Sequence, residues 1–503
     1  MDIKIGGFPF NLDSLNPEEA EALAYKAADD FVSAIENNEI NFESVRILSE
    51  LGFHSNPDIS KRILEPLFGV VINDLKKSFK KREGEAYLKI MPYFILKAKE
   101  KSSIVENWFK RMGISSENPI EDIYQRSRNL RKKKKPLSIK EAEKIKKVIL
   151  LSRNTIGSEA YVNGIIINRL LKNLKNCEII FIDTSNTGKH IFNHPRIKLI
   201  DKFINYKGEE VSLIWDRQGI QIRERFEYTA LLSEFISLET KGMKKGEFIV
   251  FDADTRLSQT GAMPICSEKD HYFIDTVLEE DNIDINNVKN FGIICNEYLN
   301  KIFQENETSY PVIFLPDEES KKARIFRNSL PKDKPIIMFH FGSGLEFKTL
   351  SSEFEQALLL RAFDYGVPLI VMPVMDWEKE RVKKHIEFLE SNGKKQGHDF
   401  FTFQGSLSTF VALIGEMDLC VGYDSQCQHM AAALGIPFIT LFTGYINKIF
   451  LKRWTPLSKN FYKIIDIDKN KGDYTVPEFK KELESFALQE YVFALNEFNL
   501  LRS

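Results

Sequence analysis

The sequence predicts an α/β protein: two Rossmann-like domains facing a cleft, preceded by an all-helical N-terminal module. Three stretches carry that expectation. Residues 418–442, DLCVGYDSQCQHMAAALGIPFITLF, read as an apolar strand, a polar turn, an alanine-rich helix and a second apolar strand. Residues 148–183 run from VILLSRN to EIIFID and hold another strand–helix–strand unit, the pattern of a parallel sheet. Residues 1–130 instead show apolar positions at helical spacing with little strand character. A chain of 503 residues is also too long for one core and suggests two or three domains.

Within 1–130 the helical segments are PEEAEALAYKAADDFVSAIE, FESVRILSELGF, ISKRILEPLFGVVINDLKKSF and EAYLKIMPYFILKAKEKSSIVENWFKRMG. Asn16 before Pro17, Glu18 and Glu19 is a helix start, because its side chain can cap free N–H groups. Such a module suits packing, oligomerisation or partner binding, and it carries no catalytic constellation. The basic run RSRNLRKKKKPLS, 126–138, reads as a solvated linker stopped by proline. Contact with an anionic acceptor or a membrane is its second reading.

The second region, 140–330, opens with the strand at 148, a turn at 155–159 and a helix over 161–174. Two later stretches could carry chemistry. WDRQGIQIRERFEY gathers Arg217, Arg223 and Arg225, which could clamp phosphate or carboxylate or simply line a solvated helix with i,i+4 pairs. In GEFIVFDADTRLSQTGAMPI a strand ends on Asp252, Asp254, Arg256 and Gln259, at the edge of a sheet where ligands bind. Those residues could also be no more than loop structure.

The third region, 331–470, is the richest. Asp424 and Ser425 end a strand and cap a helix that stops at Gly435. Free N–H groups and the positive end of the helix dipole then meet at the sheet's carboxyl edge, a ready anion site. His429, four residues after Ser425, lies on the same helix face. Upstream, PIIMFHFGSG is a buried strand opening into Gly342, Ser343 and Gly344, with Lys348 beyond. A glycine turn lets backbone N–H groups approach phosphate oxygens, and lysine supplies a compact cation. It is not a Walker loop, since the Gly–Lys–Ser/Thr ending is absent. A strand at 367–373 then leads into DWEKERVKKHIEFL, whose Asp376, Glu378 and Glu380 suit a helix N-terminus. The tail, EFKKELESFALQEYVFALNEFNLL, is a long amphipathic helix from about residue 476.

Taken in order, residues 335–457 resemble the sugar-nucleotide half of the bacterial heptosyltransferase family, glycosyltransferase family 9. That family's Asp–Ser/Thr–Gly–x–x–His turn is matched by Asp424, Ser425, Gln426, Cys427, Gln428 and His429. Gln426 replaces the glycine and adds a Cβ where the family's backbone approaches its ligand. FHFGSGLEFK is similar to the family's His–Pro–Gly–Ala–Ser turn and lysine, and GSLSTFVALIGEMDLCVGYD to its Gly–x–Ser/Thr–Leu turn and helix. The resemblance implies a GT-B fold with donor contacts from Gly342, Ser343, Lys348, Asp424, Ser425, Gln426 and His429. It implies that Glu378 or Glu380 touches the donor's sugar or ribose, and that the tail helix crosses back to the first domain. The family opens its first domain with an Ile/Leu–Gly–Asp turn whose aspartate is the proposed base. Here the turn is Ile156, Gly157, Ser158 and Glu159, so either Glu159 takes that role or the base lies elsewhere, with Asp254 next.

The implied activity is transfer of a sugar from a nucleotide-sugar donor to an acceptor hydroxyl, inverting, with no metal and no cofactor. The acceptor could be a glycan, lipid, protein or polyol. Arg217, Arg223, Asp252, Arg256 and Gln259 would then face it across the cleft. Metal-dependent glycosyltransferases with a single Rossmann domain use Asp–x–Asp instead, which Asp252 and Asp254 would supply. The same two-domain fold also serves sugar-nucleotide epimerases and hydrolases, and a degenerate glycosyltransferase could act as a binding scaffold. Acid and base nearly cancel, 72 against 70, which argues against nucleic acid as a partner. Five scattered cysteines give no zinc or disulfide spacing. With no leader pattern and no apolar run of about 18–20 residues, the expected compartment is a bacterial cytoplasm, with a peripheral visit to the inner membrane surface left open.

Overall fold

The computed structural model describes residues 2–502 apart from 6–7, 78, 133, 153–154, 215–220, 256 and 374. The chain opens with β1 (Asp2–Ile5) paired antiparallel to β2 (Phe8–Asn11). This corrects the all-helical expectation for the module: DIKI and FPFN either side of a Gly–Gly pair is a hairpin pattern, and the segment is short. Helices follow from Pro17–Glu36, which starts on the expected Asn16 capping box, to Pro119–Leu130. Between them Glu65–Ile72 winds as a wide π-type helix, continued by Asn73–Lys77.

The module does not stand apart. Phe31, Trp108 and Phe94 share one core with Ile222, Phe226 and Met263 of the next domain. Trp108 donates its indole N–H to the Pro264 carbonyl at 2.9 Å. The basic run is partly docked, which corrects the solvated-linker reading. Arg131 lies 3.5 Å from Asp254 and 3.6 Å from Asp275 and stacks at 4.8 Å over Phe273, while Lys134 donates to the Glu268 carbonyl. Two acids at strand ends give the run a partner that composition alone does not show.

The next domain holds β3 (Lys147–Leu151), β4 (Glu178–Ile182), β5 (Ile197–Ile200), β8 (Phe248–Ala253) and β9 (His271–Ile274) in a parallel sheet of order β5-β4-β3-β8-β9. A small ribbon of β6 (Lys202–Ile204) and β7 (Glu210–Ser212) lies outside it. The helix after β3 begins with a π-type turn, Glu159–Asn163, before Gly164–Asn173. The second sheet has β10 (Ile336–His340), β11 (Val367–Val371), β12 (Phe401–Phe403), β13 (Leu419–Tyr423), β14 (Phe438–Thr443) and β15 (Tyr462–Ile467), all parallel, in order β12-β11-β10-β13-β14-β15. Strands such as IIMFH and FITLFT are apolar almost throughout because helices cover both sheet faces. Strand order reverses beside β3 and beside β10, and ligands bind outside the carboxyl ends of strands at such switch points. The fold is therefore α/β with two Rossmann-like sheets, as the sequence predicted.

The tail helix, Pro477–Arg502, packs Tyr491, Leu495 and Phe498 onto the core of its own sheet, so it does not make the expected crossing. An amphipathic stripe states that a helix packs, not against what. The crossing contact comes from helix Lys448–Trp454. Arg453 donates to the carbonyls of Lys289 and Thr276, and Trp454 meets Phe291 edge-on at 4.8 Å. Among the described residues no helix is long and apolar enough to cross a membrane.

Candidate active site

A cleft of about 480 Å³ lies between the two sheets, at their carboxyl edges. Gly342, Ser343, Gly344, Lys348, Glu378, Asp424, Ser425, Gln426 and His429 all line it, and Thr155, Gly157 and Ser158 face them from the first domain. Helix Gln426–Leu434 points its N-terminus into this space, with Ser425 as cap. Lys348 reaches Asp424 Oδ2 at 2.7 Å, and Gln428 donates to Asp424 Oδ1 at 2.6 Å. The cation is thus held beside the helix N-terminus, where two sources of positive potential add.

Glu378, not Glu380, is the cleft glutamate: Glu380 pairs with Lys383 at the surface. The Glu378 Oε1 accepts from the backbone N–H of Ser343 at 2.8 Å and of Gly344 at 2.9 Å. The glycine turn therefore serves a carboxylate, which shapes it, while Ser343 Oγ donates back to the Leu345 carbonyl at 2.7 Å. This revises the direct phosphate role expected for these atoms and leaves Lys348 and the helix N-terminus as the anion-facing groups.

Behind Lys348 is a buried network that no local sequence pattern announces. Glu355 accepts from Arg381 and His385 at 2.7 Å and from the Tyr423 hydroxyl at 2.6 Å. Arg381 also donates to Thr349 Oγ1 at 2.7 Å, and Tyr423 accepts from the Leu350 N–H at 2.9 Å. Both ends of the network grip residues 349–350, so the loop that carries Lys348 is positioned from the core. Arg381 and His385, four apart on one helix, are its one trace in the sequence.

His429 stacks on Tyr161 at 5.0 Å across the domain boundary, and His340 stacks on Phe410 at 5.2 Å. Burial pushes both imidazoles down to about 4; Lys348 adds to the effect on His429 and Asp424 opposes it. Both are neutral at pH 7, so neither adds charge to the cleft. An ordinary histidine at 6.5 takes up its proton in the unfolded chain first, so stability rises with pH between about 4 and 6.5 and is lost as pH falls through that window. Each group contributes on the order of 3 kcal/mol at neutral pH. Thermal denaturation is expected to show a melting temperature that drops on acidification from pH 6.5 to 4, and less steeply in His429→Gln than in the parent. Equal slopes would show that His429 is not held neutral by burial.

Glu159 does not reach the cleft. It is fully buried, and Ser152 Oγ and Asn163 Nδ2 each donate to one of its oxygens at 2.5 Å. One step along a helix turns a side chain by about 100°, so Ser158 faces the cleft and Glu159 the core. The catalytic expectation for Glu159 is corrected accordingly. Glu159→Gln is expected to cost about 1–3 kcal/mol of stability, since it places a donor against an amide donor, with turnover within about threefold of normal. A loss of turnover in a variant that melts normally would restore Glu159 as the base.

Asp254 also turns inward: it is fully buried, accepts from Ser258 N at 2.7 Å and lies beside Arg131. Burial raises its carboxyl to about 6, with Arg131 opposing. Asp252 is equally buried and accepts from Thr260 Oγ1 at 2.5 Å. Neither lines the cleft, so they brace the loop after β8 and do not face an acceptor. Arg223 is exposed and pairs with Glu227 at 3.4 Å; it too lies outside the cleft. Arg217 and Arg256 fall outside the described residues. Gln259 lines a second cleft, of about 540 Å³, which meets the first at Thr155, Ser158 and Trp454. Among the described residues no group of three or more His, Cys, Asp or Glu is placed to hold a metal ion.

Comparison with known proteins agrees with the site's place in the chain. Residues 301–478 match the family model of glycosyltransferase family 9 (heptosyltransferase). The lipopolysaccharide heptosyltransferase 1 of Campylobacter coli is 28% identical over 220 residues, a match that covers 40% of this chain and 60% of that protein. Similar solved structures include a family 9 glycosyl transferase from Veillonella parvula, with TM-score 0.47 and 16% identity over 71% of this chain and 98% of that one. The ADP-heptose lipopolysaccharide heptosyltransferase II of E. coli gives TM-score 0.42 and 14% identity, over 68% and 99% of the two chains. The C-terminal part of the chain, residues 301–478, belongs to glycosyltransferase family 9, the heptosyltransferase family.

Proposed function

We propose that the protein transfers a sugar from a nucleoside-diphosphate-sugar donor to an acceptor hydroxyl. One observation carries this reading: Lys348 and the N-terminus of helix Gln426–Leu434 converge at the switch point of the second sheet, opposite a turn of the first. A departing diphosphate gains negative charge as the sugar leaves it. Donors already fixed around that position stabilise the transition state without reorganising. Glu378 holds the glycine turn open beside them, and His429, neutral and stacked on Tyr161, offers a ring nitrogen for hydrogen bonding only. The transfer is a single displacement with inversion, and it needs no divalent cation. The inward hydrogen bonds of Asp252 and Asp254 support the second point, because the Asp–x–Asp pair is engaged in its own loop. The product's anomeric configuration, read by NMR, and the rate in EDTA test this. The expected result is an inverted linkage formed at an unchanged rate. Retention, or activity restored only by manganese or magnesium, would overturn it.

A further inference from the structure

We infer that the helical module forms one wall of the acceptor site and selects a sugar there, an inference that rests on the glycosyltransferase reading. The second cleft opens from the donor cleft at Thr155, Ser158 and Trp454, where a hydroxyl attacking the donor would have to enter. Its outer wall is Phe68, Ile72, Asn73 and Lys76, which come from the module and lie far from the family-matched residues 301–478.

The wall is fixed in place. The Phe68 ring lies under the Arg225 guanidinium at 4.1 Å. The Lys77 carbonyl accepts from Asn447 of the second domain at 2.9 Å, and the Phe79 carbonyl accepts from Leu278 N of the first at 2.7 Å. The π-type helix Glu65–Ile72 carries Phe68 and Ile72 into the wall, and a second such turn, Glu159–Asn163, starts directly after Ser158. Wide turns of that kind concentrate at functional sites.

The lining chemistry is that of a carbohydrate site. Thr184, Thr229 and Ser258 present hydroxyls, Asn73 and Gln259 present amides, and Tyr228 and Trp454 present ring faces. Hydroxyls and amides both donate and accept, as sugar hydroxyls do, and aromatic faces suit the C–H surface of a pyranose. The volume is that of a small-molecule site.

The test uses the full chain, saturation-transfer NMR and the methyl glycosides of glucose, N-acetylglucosamine and mannose, with ADP, UDP and GDP titrated in parallel. At least one glycoside is expected to bind the parent protein. Its affinity is expected to fall about tenfold or more in Asn73→Trp, which fills the cleft from an exposed position, and to fall in Phe68→Ala as well. Equal glycoside binding in parent and Asn73→Trp would overturn the inference, as would a protein that takes a nucleoside diphosphate but no glycoside. A protein that takes no nucleoside diphosphate fails the donor reading instead.

Discussion

Lys348→Ala is expected to lower turnover by about 10²–10³-fold, the usual loss when one preorganised donor to a developing anion is removed. Nucleoside diphosphate binding should weaken by about 1.5–3 kcal/mol, the range of a charge-assisted hydrogen bond. The lysine is one of two positive features at the switch point, and its side chain is only 17% exposed, so water screens it poorly. Its loss leaves Asp424 held by Gln428 and opens a like-charge contact between that carboxylate and the diphosphate. Lys348→Arg should recover only part of the activity, since a planar guanidinium does not reproduce a compact ammonium. Ser343→Ala should matter less, because Ser343 Oγ is engaged by the Leu345 carbonyl. Calorimetric titration with nucleoside diphosphates, beside a melting curve to confirm folding, measures the first effect. Unchanged affinity in Lys348→Ala would remove this turn from the donor site.

Gly157→Ala is expected to reduce turnover by about 10²-fold while sparing most of the donor affinity, because displacing reacting groups by about 1 Å is enough for that loss. A Cβ at residue 157 would sit 2.9 Å from Gln426 Cα and 3.3 Å from the His429 ring. Backbone cannot yield there as a side chain could, so the first domain must shift from the helix that faces the donor. The same geometry accounts for Gln426 where the family has glycine: its Cβ occupies room that Gly157 leaves. Gln426→Gly in the Gly157→Ala background should therefore recover part of the lost turnover. A Gly157→Ala protein with normal kcat would show that the domain spacing does not set the rate.

The donor side of the site was legible because its chemistry is local. A strand, its turn and the next helix are contiguous in sequence, so Lys348, Asp424 and His429 could be placed at one sheet edge before any fold was known. Both sheets followed from the same regularity. What escaped was set by direction and by distance along the chain. Glu159 was chosen for its chemistry, yet one helical step turns it into the core against Ser152 and Asn163. Asp252 and Asp254 end a strand as expected, but Arg131, 123 positions upstream of Asp254, and their own loop claim them. The helical module's part in the second cleft joins residues 68–76 to Arg225 and Gln259, and no local pattern states such a pairing. The buried Glu355 network was hidden for the same reason: its members come from separate helices and a strand.

The decisive measurement is thermal denaturation of the full chain against a panel of UDP-, ADP- and GDP-sugars. A donor that binds only the folded state at a hundred times its Kd stabilises it by about 2.7 kcal/mol, a shift easily read for a protein of this size. One nucleotide class is expected to raise the melting temperature of the parent, and the rise is expected to be lost or much reduced in Lys348→Ala. No shift with any nucleotide sugar at millimolar concentration, or a shift of equal size in Lys348→Ala, would contradict a donor site built on Lys348 and the helix N-terminus.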